Sequence, residues 1–181
     1  MSPTNPQKVI KYCPKCGSLE FNFKLDNSFL CASCDFHLYV NASAAVAALI
    51  VNDKGEILLT RRACSPDIGM LDLPGGFVDV METAEEAMRR EIKEELNLNV
   101  DKMEYFMSYP NEYIFGGLSV FTIDLAYICK INSFNGIDAK DDISAYEFYQ
   151  FDKIPFDEIG SVSMKEMVMA FVNKNLNENT Y

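Results

Sequence analysis

The sequence predicts an α/β chain, strands interspersed with two helices, behind a small cysteine-bearing unit. Three observations carry that prediction. Two Cys-x-x-Cys pairs, Cys13/Cys16 and Cys31/Cys34, stand near the start. A glycine-rich turn, Leu73-Pro74-Gly75-Gly76-Phe77, follows a set of β-type runs. Just beyond it, Glu91, Glu94 and Glu95 fall at offsets i, i+3 and i+4, which on a helix share one face.

Residues 1 to about 10 read as a loose tail. Residues 11–38 form the cysteine unit, with Tyr12, Phe21, Phe23, Phe29, Phe36 and Tyr39 spaced as short-strand residues. From Asn41 the pattern changes. Ala44–Val51 and Glu56–Arg61 are β-type runs separated by Asn52-Asp53-Lys54-Gly55, a hairpin signal. A further strand leads through Met70–Leu73 into the Pro-Gly-Gly turn. Thr83 with Glu86 three residues on forms a capping box. The helix it opens carries the apolar stripe Ala84, Met88, Ile92 and Leu96. It should end near Asn97, because asparagine tolerates the left-handed conformation of a helix C-terminus. Tyr105–Tyr109 and Leu118–Ile131 are strands joined through Gly116-Gly117, and Tyr146–Phe151 is the last strand. Ser163 with Glu166 reads as a second capping box, opening a helix with Met167, Val168, Phe171 and Leu176 on one face; Asn173–Tyr181 is polar and should fray. The domains are therefore 1–40 and 41–181.

At 181 residues the chain holds one full domain plus an accessory unit. Its 49% hydrophobic and 24% charged content is that of a globular protein. The longest apolar run, Ala42–Val51, is well short of the roughly 18 residues a membrane span requires, so no membrane association is expected. No basic-then-apolar leader opens the sequence, and a cytoplasmic location is expected. The formal net charge is −11. Four lysines against three acids precede Asn41, so the negative charge belongs to the remainder. Such a field disfavours long nucleic acid. It still admits a small phosphorylated ligand, because a bound divalent cation inverts the local potential.

Acids on a helix are ordinarily a solvated face. Here Glu91 and Glu95 lie beside Ala84 and Met88, close to the core stripe. At partial burial, two carboxylates about 4 Å apart repel by about 4 kcal/mol at an effective dielectric near 20. Such crowding requires a cation or a shared proton, and several oxygen ligands suit magnesium or manganese. With the glycine turn included, the stretch from Gly76 to Leu98 resembles the signature of the Nudix hydrolase family: Gly, five residues, Glu, seven residues, Arg-Glu-apolar-any-Glu-Glu-any-Gly-apolar. Gly76, Glu82, Arg90, Glu91, Ile92, Glu94, Glu95 and Leu98 fit, while Asn97 replaces the final glycine.

The resemblance implies an α/β/α sandwich on a mixed sheet. It also implies hydrolysis of a nucleoside diphosphate linked to another moiety, by attack of water on phosphorus. Glu94 and Glu95 would ligate magnesium or manganese, helped by Glu91 and the Gly75 carbonyl, with Glu82 as an additional or supporting ligand. Glu91 is the general-base candidate, and Arg90 would orient the carboxylates by a charge-assisted fork. A downstream acid is expected as well, with Asp142 the choice and Glu112 the competitor. Arg61, Arg62, Gly76 and Tyr113 are candidate substrate contacts, and Asp72 is a candidate to orient the glycine turn.

The cysteine pairs are separated by 14 residues, near the spacing of two zinc knuckles. So short a unit cannot bury enough core to fold alone, and zinc binding would supply on the order of 10 kcal/mol. Four thiolates close the coordination sphere, so the zinc would be structural. His37 falls outside the spacing and reads as a packing residue. Cys64 and Cys129 read as buried small hydrophobes. A zinc ribbon ahead of a Nudix domain resembles the NADH pyrophosphatase branch. That branch carries Ser-Gln-Pro-Trp-Pro-Phe-Pro after the box, whereas this chain has Ser108-Tyr109-Pro110-Asn111-Glu112-Tyr113 and no tryptophan. ADP-ribose-like, NAD(H)-like and nucleotide-sugar substrates head the expectation, and the ribbon reads as an interdomain brace or the brace of a homodimer. The rival class is a non-catalytic nucleotide sensor whose ribbon contacts DNA or a protein.

Overall fold

The computed structural model describes residues 2–178. Two compact units emerge: residues up to Ala42 together with Glu112–Phe121, and Ser43–Asn111 together with residues from Thr122 on.

In the first unit the opening residues form a short helical turn, α1 (Pro6–Val9), instead of a loose tail. Asn5 caps it through its side chain to the Gln7 N–H, and proline stands at the first helical position. The segment is fixed further by the Ser119 N–H, which donates to the Thr4 carbonyl at 2.8 Å. Three antiparallel strands follow: β1 (Phe21–Phe23), β2 (Ser28–Cys31) and β3 (His37–Tyr39). Their core is small: Cys13, Phe21, Phe29 and Cys31 are buried, with Phe21 stacked on Phe29 at 4.9 Å.

The second unit contains β4 (Ser43–Ile50), β5 (Ile57–Arg62), β6 (Leu71–Asp72), β7 (Gly75–Phe77), α2 (Ala84–Leu96), β8 (Lys102–Phe115), β9 (Leu118–Lys130), β10 (Ile143–Tyr149) and α3 (Val162–Glu178). The far ends of β8 and β9, with Gly116 and Gly117 at positive φ between them, group with the first unit. One sheet is mixed, in the order β7-β4-β9-β8, with β4 parallel to β9 and antiparallel to β7; a second is antiparallel, β10-β5-β6.

Strand β4 explains the layering. Val46, Ala48 and Ile50 join one core with Ala87, Met88, Ile92 and Leu96 of α2. The alternate residues Ala47 and Leu49 join another with Met167, Val168, Phe171 and Val172 of α3. A strand buried on both faces by helices reads as a continuous apolar run, which is why Ser43–Ile50 does not alternate. The expected α/β/α arrangement with a mixed sheet is the one observed.

Several local expectations change. The turn at Asn52–Gly55 forms, with the Asn52 side chain accepting from the Lys54 and Glu56 N–H groups. Its strands meet only at the Val51–Ile57 bridge and then enter different sheets, because each finds longer partners elsewhere. Strand β10 begins and ends earlier than Tyr146–Phe151, and Phe151 opens a 3₁₀ turn. Ser163 is not a cap. Helix α3 starts at Val162, and the buried Ser163 hydroxyl donates to the buried Asp124 carboxylate at 2.6 Å. Helix α3 runs through the polar stretch from Asn173 as far as Glu178, and the rest of Asn173–Tyr181 lies outside the described residues.

Candidate functional site

The four cysteines converge on two equivalent turns. The Gly17 N–H donates to the Cys13 carbonyl and the Asp35 N–H to the Cys31 carbonyl; each donor residue has φ near +60 to +75. The Cys13 and Cys31 N–H groups then bond Ser18 and Phe36 carbonyls in the same pattern. All four sulfurs lie within 4.8 Å of one another, with Cys13–Cys34 at 3.7 Å and Cys16–Cys31 at 3.6 Å. A tetrahedral ion at the zinc–thiolate distance needs sulfurs roughly 3.8 Å apart, so the donor set fits such an ion. Burial opposes ionisation of Cys13, yet the Cys16 and Lys15 N–H groups bring it down to about 7. Cys34, in spite of the Phe36 N–H, is pushed up to about 12 by burial and the other three thiols. Sulfurs this close cannot all ionise without a cation between them. His37 stays outside the cluster, bonded to Ser28 at 2.7 Å and packed on Tyr39.

The acids are built against the glycine turn. Strand β7 pairs with β4, Gly75 opposite Ala47 and Gly76 opposite Val46. Gly75 has φ +146, and a Cβ there would sit 2.0 Å from the Val46 carbonyl oxygen, so no other residue fits. A Cβ on Gly76 would stand 2.4 Å from Glu91 Oε1. Bare backbone thus lets the helix face close onto the turn. Helix α2 starts where expected, at the Thr83–Glu86 capping box, and ends with Asn97 at φ 55.

Arg90 gathers the carboxylates. Its Nε and Nη2 bond Glu82 at 2.9 and 2.8 Å, Nη1 bonds Glu91 at 2.8 Å and Glu94 at 3.1 Å, and Nη2 also donates to the Phe77 carbonyl. This guanidinium, with the Asp79 N–H second, holds Glu82 below the usual carboxylate range. Glu91 moves the other way. Burial raises it, Arg90 opposes, and the charges of Glu94 and Asp141 add to the rise.

Glu95 is only 4% exposed. It accepts the Gly75 N–H at 2.9 Å, and no ion pair reaches it among the described residues. Burial pushes it up to about 8, and the nearby charges of Glu91, Asp72 and Asp142 work in the same direction. Buried carboxylate oxygens lacking a counter-charge are a donor set that a hard divalent cation fits. Among the described residues, the four thiols are the one group of three or more such side chains already gathered as tightly as a bound ion needs.

Asp142 is brought to this region: its charge acts on Glu95, its carbonyl accepts the Ala63 N–H at 2.7 Å, and its carboxylate lies 3.2 Å from the Cys64 sulfur. Cys64 is therefore exposed and polar-bonded instead of buried, while Cys129 is buried as expected. Sequence reasoning missed both this thiol contact, 78 residues apart along the chain, and the neighbouring Asp141. No local signal marks either. Glu112 lies in the first unit, as does Tyr113, stacked on Phe115 with centroids 6.4 Å apart.

The two arginines at the end of β5 are engaged by the protein itself. Arg61 pairs with Glu147 at 2.7 Å and Glu158 at 2.9 Å. Arg62 pairs with Asp72 at 2.7 Å, and Asp72 also accepts the N–H of Leu73, leading into the glycine turn.

Comparison with known proteins gives concordant results. An ADP-ribose pyrophosphatase of Methanocaldococcus jannaschii is 34% identical over 122 residues, 66% of this chain and 69% of its own length. An NAD-capped RNA hydrolase NudC of Haemophilus influenzae is 31% identical over 118 residues. That match covers 62% of this chain but 44% of the relative, so the chain spans under half of it. The crystal structure of a NUDIX hydrolase from Nitrosomonas europaea superposes with a TM-score of 0.67 at 20% identity, covering 93% of each chain. The NUDIX domain model matches residues 42–171. Since that match takes in both sheets, the glycine turn and the acid helix, the chain belongs to the Nudix family.

Proposed function

We propose that this chain is a metal-dependent pyrophosphohydrolase acting on a nucleoside diphosphate linked to a second moiety, with ADP-ribose-like and NAD(H)-like compounds as the leading substrates. The observation that carries the reading is the acid face of α2 against bare backbone: Glu91 against Gly76, Glu95 bonded to the Gly75 N–H, and Arg90 linking Glu82, Glu91 and Glu94. The name of the M. jannaschii relative, an ADP-ribose pyrophosphatase, supports the ADP-ribose-like class, and the NAD cap in the name of the H. influenzae relative is the nearest likeness to the NAD(H)-like class.

In this reading Glu91, Glu94, Glu95, Glu82, Asp142 and the Gly75 carbonyl hold Mg²⁺ or Mn²⁺. Bound there, such ions mask diphosphate charge and acidify a water. Glu91 accepts the proton of the attacking water. Arg90 orients the carboxylates by its fork. Zn²⁺ at Cys13, Cys16, Cys31 and Cys34 is structural, and its thiolates suit the reducing cytoplasm. No helix among the described residues is long and apolar enough to cross a membrane. Homodimerisation is part of the proposal, as is a small-molecule substrate in preference to long nucleic acid, given the net charge of −11.

Phosphate or nucleotide release from NADH, ADP-ribose, nucleotide sugars and nucleoside triphosphates, each with Mg²⁺ and Mn²⁺, tests the reading. Turnover of the linked diphosphates ahead of the triphosphates is expected. Tight binding with no turnover of any compound would favour the nucleotide-sensor class. A second expected result concerns the glycine turn. Gly76→Ala places a methyl against the flexible end of Glu91, so the fold should survive while kcat drops. Displacing a reacting group by about 1 Å costs up to about a hundredfold. Unchanged kcat would show that Glu91 does not act where it stands.

A further inference from the structure

The family pattern ends the acid helix with glycine, and this chain places Asn97 there. Asn97 adopts the same left-handed conformation, φ 55, so the backbone requirement is met. Its side chain then makes contacts for which glycine has no atoms. Nδ2 donates to the Gly136 carbonyl at 3.0 Å, and Oδ1 accepts from Lys93 Nζ at 2.9 Å. Gly136 is itself at φ +79, and a Cβ on it would stand 3.8 Å from the Asn97 amide. The turn at Gly136 therefore lies directly against the helix end.

Gly136 belongs to the connection between β9 and β10, which closes the helix C-terminus. The Asp138 N–H donates to the Leu96 carbonyl at 3.2 Å and the Lys140 N–H to the Glu95 carbonyl at 2.9 Å. Both acceptors are carbonyls that a helix end leaves without internal partners. Phe134, Ile137 and Ala139 pack partly buried on the core beneath. The next two residues are Asp141, at φ 56, and Asp142. Their charges act on Glu91 and Glu95 respectively. On the far side Asp142 is held by the Ala63 N–H.

We infer that Asn97 is a positioning residue. Its amide straps the β9–β10 connection to the end of the acid helix and so sets where Asp141 and Asp142 stand towards a divalent cation held by Glu91 and Glu95. The inference rests on the metal site proposed above, and it concerns a tether that a glycine at this position cannot supply.

Asn97→Gly keeps the left-handed residue and removes both contacts. Asn97→Asp keeps the lysine contact and loses only the donor to Gly136. In the full chain without added Mg²⁺ or Mn²⁺, exchange of the Asp138 and Lys140 amides should quicken roughly fivefold in both variants, the factor expected for one ordinary hydrogen bond. Calorimetric titration with Mn²⁺ alone should show affinity weakened by a similar factor, with the thermal midpoint of Asn97→Gly nearly unchanged. Faster exchange with parental Mn²⁺ affinity would overturn the positioning role while leaving the metal site intact. Unchanged exchange would overturn the strap itself. Failure of the parent chain to bind Mn²⁺ at all would instead remove the proposed metal site, and the strap's purpose with it.

Discussion

Replacing Cys13 by serine, or withdrawing zinc with a strong chelator, should unfold the first unit outright. Zinc content measured by mass spectrometry should fall, and amide protection across β1 to β3 should vanish. The physical reason is the size of the core. Only Cys13, Phe21, Phe29 and Cys31 are buried in it, and two of those four are among the proposed zinc ligands. An ion held by four thiolates contributes on the order of 10 kcal/mol to folding, more than so small an apolar cluster supplies. Removing one sulfur also leaves the remaining three, already crowded to within 4.8 Å, without the cation that permits their ionisation. The two cores of the second unit contain no residue of the first. Protection in α2 and α3 should therefore persist, and melting should separate into two transitions. Retained protection in β1–β3 after complete zinc loss would overturn the structural assignment.

What the sequence revealed and what it hid have a common physical cause. Helix α2 was legible at both ends because its signals are local: a side chain bonding backbone three residues away at Thr83, and a left-handed residue at Asn97. The thiol cluster was legible for the same reason, since each knuckle is one turn. The family spacing likewise belongs to a single helix and its preceding turn. Long-range pairings left no such trace. Nothing near Ser163 announces the buried Asp124, 39 residues away, that turns an apparent cap into an interior hydrogen bond. Nothing near Cys64 announces Asp142. The arginines ending β5 illustrate the limit from another side. Sequence identifies two cations at the end of a strand, and only the structure reveals that Glu147, Glu158 and Asp72 engage them.

Glu95→Gln should abolish turnover and, under the right conditions, stabilise the protein. With Glu95 as the metal ligand proposed above, the variant replaces a charged oxygen by a neutral amide, which forfeits about 3 kcal/mol or more of charge stabilisation, about a hundredfold in kcat or more. The stability effect depends on pH. Burial raises the Glu95 carboxyl to about 8 in the folded, metal-free chain, whereas in the unfolded chain it titrates in the ordinary glutamate range. Below about pH 4 both states hold the proton, and Glu95 costs nothing. As pH rises the unfolded chain ionises freely while the folded chain does not. Stability is therefore lost up to about pH 8, at roughly 1.4 kcal/mol per unit of pH at most. Glutamine escapes that loss, and its amide oxygen still accepts the Gly75 N–H. Urea unfolding in Mg²⁺-free buffer should thus find the variant and parent alike near pH 4 and the variant more stable by a few kcal/mol at pH 8.5. Adding Mn²⁺ should narrow the gap, because a cation stabilises the ionised parent and gains nothing from the amide. Equal stability at both pH values would mean that Glu95 is not held protonated by its surroundings. The buried carboxylate would then lose its claim to be a site kept under electrostatic strain until a cation arrives.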